Sequence, residues 1–190
     1  MKKNLLAALF SLFLLPACKE TKTKSKEKST DDYRKEVSKN KPDRENGTGE
    51  FDIAAPKGWT KTDTFMQGQR IVFVKSPREN ANDDFLENVN VVTENTGNMK
   101  MDEYLDLSAT NIKKGLENVE LGKMSDRNIN GMEFKRQRYS HVYNGIPIDV
   151  DVWFLLNGGT AYVITCSSKG GEISKWEPEF EKVIRSFKLN

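Results

Sequence analysis

The stretch Met132–Leu156 reads MEFKRQRYSHVYNGIPIDVDVWFLL. Two runs of alternating polar and apolar residues flank Asn144-Gly145. Both central positions of a two-residue type I′ turn need positive φ, which Asn and Gly tolerate, so the stretch reads as one long β-hairpin. The turn sets the register. Arg138 falls opposite Asp151, Ser140 opposite Asp149 and Arg136 opposite Trp153. On the other face His141 pairs with Ile148 and Tyr139 with Val150. The following turn, Asn157-Gly158-Gly159, suits either two or three residues and leaves its register open.

Working outward, short runs of aromatic and β-branched residues predict strands at Phe51–Ala54, Trp59–Asp63, Arg70–Lys75 and Glu87–Thr93. A helix is predicted over Met101–Leu116, with Met101, Tyr104, Leu105, Ala109, Ile112 and Leu116 on one face. Strands follow at Val119–Arg127, Met132–Tyr143, Ile146–Leu156 and Thr160–Ser167. A last helix is expected over Lys175–Leu189, with Ser174 as its N-cap and Glu177 as the capping-box partner.

The whole chain has 190 residues, 30 basic against 28 acidic, and a formal net charge of +2. So balanced a chain lacks the basic field with which nucleic-acid binders neutralise phosphates. Two cysteines and one histidine are too few for a zinc cluster or an iron–sulfur site. Residues 1–17 read as a targeting segment, 18–49 as a charged linker and 50–190 as a globular domain.

Lys2 and Lys3 precede a mostly apolar run from Leu5 to Leu15. Such a run spans about 16 Å, roughly half of a hydrocarbon core, and so fits a signal peptide and not a transmembrane helix. It ends in Leu15-Pro16-Ala17-Cys18, which resembles the lipobox of bacterial lipoproteins. The resemblance implies cleavage between Ala17 and Cys18 and lipidation of Cys18, with a diacylglyceryl thioether as the membrane anchor. Lys19, directly after the lipidated cysteine, favours the outer membrane over the inner in bacteria with two membranes.

Residues 19–49, KETKTKSKEKSTDDYRKEVSKNKPDRENGTG, contain only Tyr33 and Val37 as sizeable apolar side chains. Such a segment cannot bury enough surface to offset its ordering entropy and is expected to be a disordered tether. Its lysines between Lys19 and Lys28 suit either a solvated spacer or contact with anionic headgroups.

In the domain, Ala55-Pro56-Lys57-Gly58-Trp59, Glu87-Asn88-Val89-Asn90-Val91, Met101-Asp102-Glu103-Tyr104 and Ser186-Phe187-Lys188 occur in the order strand pair, helix, antiparallel meander, C-terminal helix. This pattern resembles the PsbP-like fold, which includes bacterial DcrB-type lipoproteins. The resemblance implies an α+β protein, an α/β/α sandwich around a central antiparallel sheet, in a family that is mostly non-catalytic.

Candidate chemistry is sparse. Asp149 and Asp151 share one strand face and form the best candidate pair for a hard cation or small ligand. The hairpin register offers a plainer role, an ion pair between Arg138 and Asp151. Arg136 over Trp153 suggests a cation–π contact or an exposed aromatic patch for a partner. His141 shares its face with Tyr139, Tyr143 and Ile148, which reads as packing. Cys166 lies in an apolar strand and reads as a small buried hydrophobe. Asp83 and Asp84, with Glu79 and Asn80, read as a surface loop. No catalytic residue set, phosphate loop, cofactor motif or zinc motif is found. The expected function is therefore non-enzymatic: a lipid-anchored cell-envelope protein that presents an interaction or assembly domain to a protein partner at the membrane surface. A ligand- or metal-binding envelope module using Asp149 and Asp151 is the alternative.

Overall fold

The computed structural model describes residues 50–66 and 69–190. The expected signal segment, the Ala17–Cys18 cleavage site, Lys19 and the tether fall outside the described residues. The strands are β1 (Phe51–Asp52), β2 (Thr60–Met66), β3 (Gln69–Lys75) and β4 (Asn88–Asn95), followed by helix α1 (Met101–Gly115). Then come β5 (Glu117–Leu121), β6 (Ser125–Ile129), β7 (Met132–Tyr143), β8 (Ile146–Asn157) and β9 (Thr160–Lys169). Helix α2 (Ile173–Arg185) and β10 (Lys188–Leu189) close the chain.

Eight strands form one antiparallel sheet in the order β2-β3-β4-β9-β8-β7-β5, with β6 also paired to β7. The long hairpin, β7–β8, lies toward the β5 edge of the sheet. Asn144 and Gly145 have φ of 50° and 79°, as the type I′ turn requires. The register is the expected one, with Arg138 opposite Asp151, Ser140 opposite Asp149, Arg136 opposite Trp153 and His141 opposite Ile148. The next hairpin uses two residues, Gly158 and Gly159, so that Asn157 pairs with Thr160.

Alternation along each strand sends side chains to two faces. On one face Val72, Val74, Val89, Val91, Trp153, Leu155, Ile164 and Cys166 pack with Phe180, Val183, Ile184 and Phe187 from the C-terminal segment. On the other, Val150, Val152, Phe154 and Val163 pack with Tyr104 and Ile112 of α1. The α+β sandwich, helix–sheet–helix, is therefore the architecture that the chain adopts. Helix α1 begins where Glu103 turns back to accept the Lys100 backbone N–H at 3.0 Å, the carboxylate half of a capping box.

Three expectations need correction. The single strand Val119–Arg127 is two strands, β5 and β6, lying along different halves of β7. The break follows Gly122, whose N–H donates to the Arg138 carbonyl at 2.7 Å, and whose approach leaves no space for a side chain. The last helix starts at Ile173 and ends at Arg185, with Glu172 and not Ser174 at its N-cap position. Its final residues instead form β10, which pairs with β1. Burial explains the exit: Phe187 stacks on Phe51 at 5.7 Å and meets Tyr162 edge-on at the same distance. Thirdly, β1 stops at Asp52, and Trp59 lies outside β2, where it packs on Trp176 and Phe180.

Candidate functional site

Asp149 and Asp151 do share one face of β8, the face covered by α2, but the structure separates their roles. Asp149 Oδ2 accepts the Gly171 N–H at 2.7 Å and so holds the turn that leads into α2. Asp151 is 3% exposed. Its carboxylate accepts Arg136 Nε at 2.8 and 3.1 Å, one distance to each oxygen, and Arg136 Nη2 at 2.5 Å. Arg136 Nη2 also donates to Glu177 Oε1 at 2.9 Å, and Arg138 Nη2 donates to the same oxygen at 2.5 Å. Arg138 Nε stands 3.5 Å from Asp151 Oδ2. Two guanidinium groups and two carboxylates thus form one electrically balanced network between the sheet and α2.

The chemistry of the network follows from this geometry. Hydrogen bonding to Asp151 holds the Arg136 guanidinium well above its ordinary range. Hydrogen bonding to Arg136 holds the Glu177 carboxyl below its ordinary range. Bidentate arginine–carboxylate pairing is the strongest common form of such contact. Arg136 also lies over the Trp153 ring at 4.8 Å, as the register anticipated. Trp153 itself is only 4% exposed, so the aromatic is part of the core and not an exposed patch. Glu177 was expected to cap α2. It instead faces the two arginines, because the helix starts two residues earlier than the sequence suggested.

The remaining candidates lie apart from this network or beneath it. Cys166 pairs with Asp151 across the β8–β9 ladder and is fully buried. Burial drives its thiol pKa upward, which suppresses the reactive thiolate. His141 lies on the opposite face, 2% exposed, its ring 6.2 Å from that of Tyr139. Neither ring nitrogen makes a hydrogen bond, and burial pushes its pKa down. Asp83 accepts the backbone N–H groups of Glu79 and Phe85, while Asp84 pairs with Lys169 at 3.0 Å. Glu79 pairs with Lys175 at 2.7 Å. The acidic loop is thereby strapped to β9 and α2. Among the described residues, no group of three or more His, Cys, Asp or Glu could hold a metal ion. Among them, too, no helix is long and apolar enough to cross a membrane.

What sequence reasoning missed is Glu177, which α2 delivers to both arginines from about forty residues away in the chain. Its spacing on an amphipathic helix gives no local sign of that destination.

No protein-family model matches the chain, and no curated protein matches it in sequence. Solved structures do. PA94 of Pseudomonas aeruginosa, a protein of unknown function, is similar at 16% identity and a TM-score of 0.56, covering 73% of this chain and 96% of its own. LpqN of Mycobacterium tuberculosis, involved in cell envelope biogenesis, is similar at 14% identity and a TM-score of 0.56, covering 87% of this chain and 99% of its own. PsbP (CyanoP) of Synechocystis sp. PCC 6803 is similar at 15% identity and a TM-score of 0.49, covering 77% of this chain and 96% of its own. The chain shares its fold with PA94 and LpqN.

Proposed function

We propose that this protein is a non-catalytic, lipid-anchored component of the bacterial cell envelope, displaying its folded domain on a flexible tether at a membrane surface. The observation that carries the reading is Leu15-Pro16-Ala17-Cys18 after a short basic and apolar leader. Two or more acyl chains hold a protein to a bilayer where a single chain does so only marginally. The linker then gives the domain a reach of about 30 Å as a flexible coil. Its mechanism is localisation: confinement raises the domain's effective concentration toward a partner at the same surface. The fold shared with LpqN, a protein of cell envelope biogenesis, is in keeping with such a place. Lys19 favours the outer membrane where two membranes exist.

The absence of an enzymatic role is part of the same proposal. It is supported by the state of the candidate groups. Asp151 is bonded to Arg136, Asp149 to a backbone N–H, and Cys166 and His141 are buried. The test is the intact mass of the protein isolated from membranes of its host. A diacylglyceryl modification on an N-terminal Cys18 is expected. An unmodified Cys18, or a Cys18→Ala variant that stays membrane-bound to the same extent, would overturn the reading.

A further inference from the structure

The sheet has two edges, and they differ. At one edge β5 and β6 share β7, each only five residues long, with a register shift between Glu117 and Glu120. Short and irregular edge strands protect a sheet against pairing with another chain. The other edge is β2, seven residues long and paired with β3 without a break from Thr60–Lys75 to Met66–Gln69. Thr60, Lys61, Thr62 and Asp63 are all exposed, so both faces of this strand are open to solvent at its start. Its backbone is open too. In an antiparallel ladder each residue turns its N–H and C=O to the same neighbour, alternately to one side and the other. Ser76, which continues β3, donates its N–H to the Glu87 carbonyl at 2.8 Å, on the β4 side. Counting back along β3, Lys75, Phe73 and Ile71 therefore bond to their partners Thr60, Thr62 and Thr64. Lys61 and Asp63 turn their N–H and C=O away from the sheet, and among the described residues no strand pairs with β2 on that side.

The occupant that fits this edge is the same strand of a second copy. Thr60-Lys61-Thr62-Asp63-Thr64, run antiparallel against itself about Thr62, sets Lys61 opposite Asp63 of the second copy and Asp63 opposite its Lys61. On the other face Thr62 meets its own counterpart and Thr60 meets Thr64. Opposite charges and threonine pairs are favourable cross-strand neighbours. The backbone agrees, because Lys61 and Asp63 are the residues whose outward groups would exchange both bonds. A shift of the register either way puts Lys61 opposite Lys61 or Asp63 opposite Asp63, which repulsion disfavours. A lone edge lysine blocks pairing, but here its counter-ion stands two residues on. Asp63 is held by Arg70 at 2.6 Å and Lys61 lies 3.7 Å from Asp52, so each copy brings an electrically balanced group to the seam. Pairing ends at Trp59, whose N–H is committed to the Pro56 carbonyl. A seam this short belongs to the weak, transient class of contacts. The two-fold axis of an antiparallel pair stands perpendicular to the sheet, so both copies turn the same face the same way. Phe51, near the start of the domain, packs on the α2 face, and both domains therefore begin on one side of the joined sheet, as two copies held at one membrane need.

We propose that two copies of this chain associate edge to edge through β2, joining their sheets into one. Anchoring both copies to one surface, as proposed above, raises their mutual concentration; the pairing itself does not rest on it. The test is disulfide trapping of the full chain in membranes of its host, with the mass of the product and the state of Cys18 read on the same sample. Facing residues of a non-hydrogen-bonded pair have Cα atoms about 4.5 Å apart, within disulfide range. Thr62→Cys should therefore give a dimer of the chain under mild oxidation, about tenfold faster than the exposed Ser174→Cys on α2. With Cys18 acylated and Cys166 buried, the parent chain offers no reactive thiol and serves as the blank. Adding Lys61→Glu to the Thr62→Cys chain should slow trapping about tenfold with the thermal transition in place, as two opposed like-charge pairs require. Adding the exposed Lys57→Glu instead should leave the rate unchanged. The absence of a Thr62 disulfide overturns the proposal, as does one formed no faster than at Ser174, or equally fast at Thr64→Cys. An adduct of Thr62→Cys with another protein also overturns it, and so does a rate that Lys61→Glu lowers no more than Lys57→Glu. An unmodified Cys18 beside a rapid Thr62 disulfide overturns only the anchoring.

Discussion

Arg136 reaches diagonally across the β7–β8 ladder to bond both oxygens of Asp151, although the residue directly opposite Asp151 is Arg138. The guanidinium that faces the acid squarely turns instead to Glu177 on α2. The reason is geometric. Arg136 lies with its Cζ 4.8 Å from the centre of the Trp153 ring, and from there its Nε and Nη2 present a fork to the neighbouring acid. Arg138, more exposed, is free to meet the helix.

This arrangement predicts unequal costs. Asp151→Ala and Arg136→Ala should each destabilise the fold by about 3–5 kcal/mol, because each removes the bidentate partner of a largely buried charge. Arg138→Ala should cost at most about 1 kcal/mol, as expected for a half-exposed pair. Urea denaturation of the single variants and of the Arg136/Asp151 double variant measures the coupling. Equal effects for the two arginines would reverse the assignment.

Because both acids of β8 are already bonded within the protein, titration of the full chain with Ca²⁺, Mn²⁺ or Zn²⁺ should give no saturable heat from this face. The contrary result is a saturable heat that Asp149→Ala abolishes. It would restore the cation site that the Asp149-x-Asp151 spacing suggests.

His141 predicts a pH dependence with a definite sign. Its folded pKa lies below the ordinary 6.5 because burial disfavours the charged ring. Below that ordinary value the unfolded chain takes up a proton that the folded chain resists. The contribution is therefore fully present above about 6.5 and is lost as pH falls through the folded value. Glu177, held below its ordinary 4.5 by Arg136, loses its contribution only at lower pH still. Burial raises Glu87 and Glu94, and these act in the opposite sense. The readout is accordingly a difference: the melting temperature of His141→Phe should fall less than that of the parent between pH 7 and pH 5. Parallel curves would show that His141 does not titrate in this way.

Two glycines near α1 and β5 should respond oppositely to alanine. At Gly122 an added Cβ would stand 2.7 Å from the Arg138 carbonyl oxygen, and forced crowding of this kind costs about 1–3 kcal/mol. At Gly115, the last residue of α1, nothing lies within 4 Å, and alanine should add up to about 1 kcal/mol through helix propensity. Thermal unfolding of the two variants separates the effects.

Much of this architecture could be read locally. Asn144-Gly145 alone set which residues of β7 and β8 face one another, because a two-residue turn with positive φ at both positions admits one register. Alternation then assigned Tyr139 and His141 to one face and Asp149 and Asp151 to the other. The apolar stripes of α1 and α2 marked which of their sides would be buried. What lay beyond such reading were choices between distant segments. Gly122 breaks a strand because of a carbonyl on β7, and the C-terminal residues leave the helix because Phe187 finds Phe51. Glu177 meets the arginines only once α2 has docked. A long side chain can reach several partners from one backbone position, and only the arrival of other elements selects among them. Backbone pairing and facing were thus determined by the sequence itself, whereas the partners of Arg136, Arg138 and Glu177 were decided by tertiary packing.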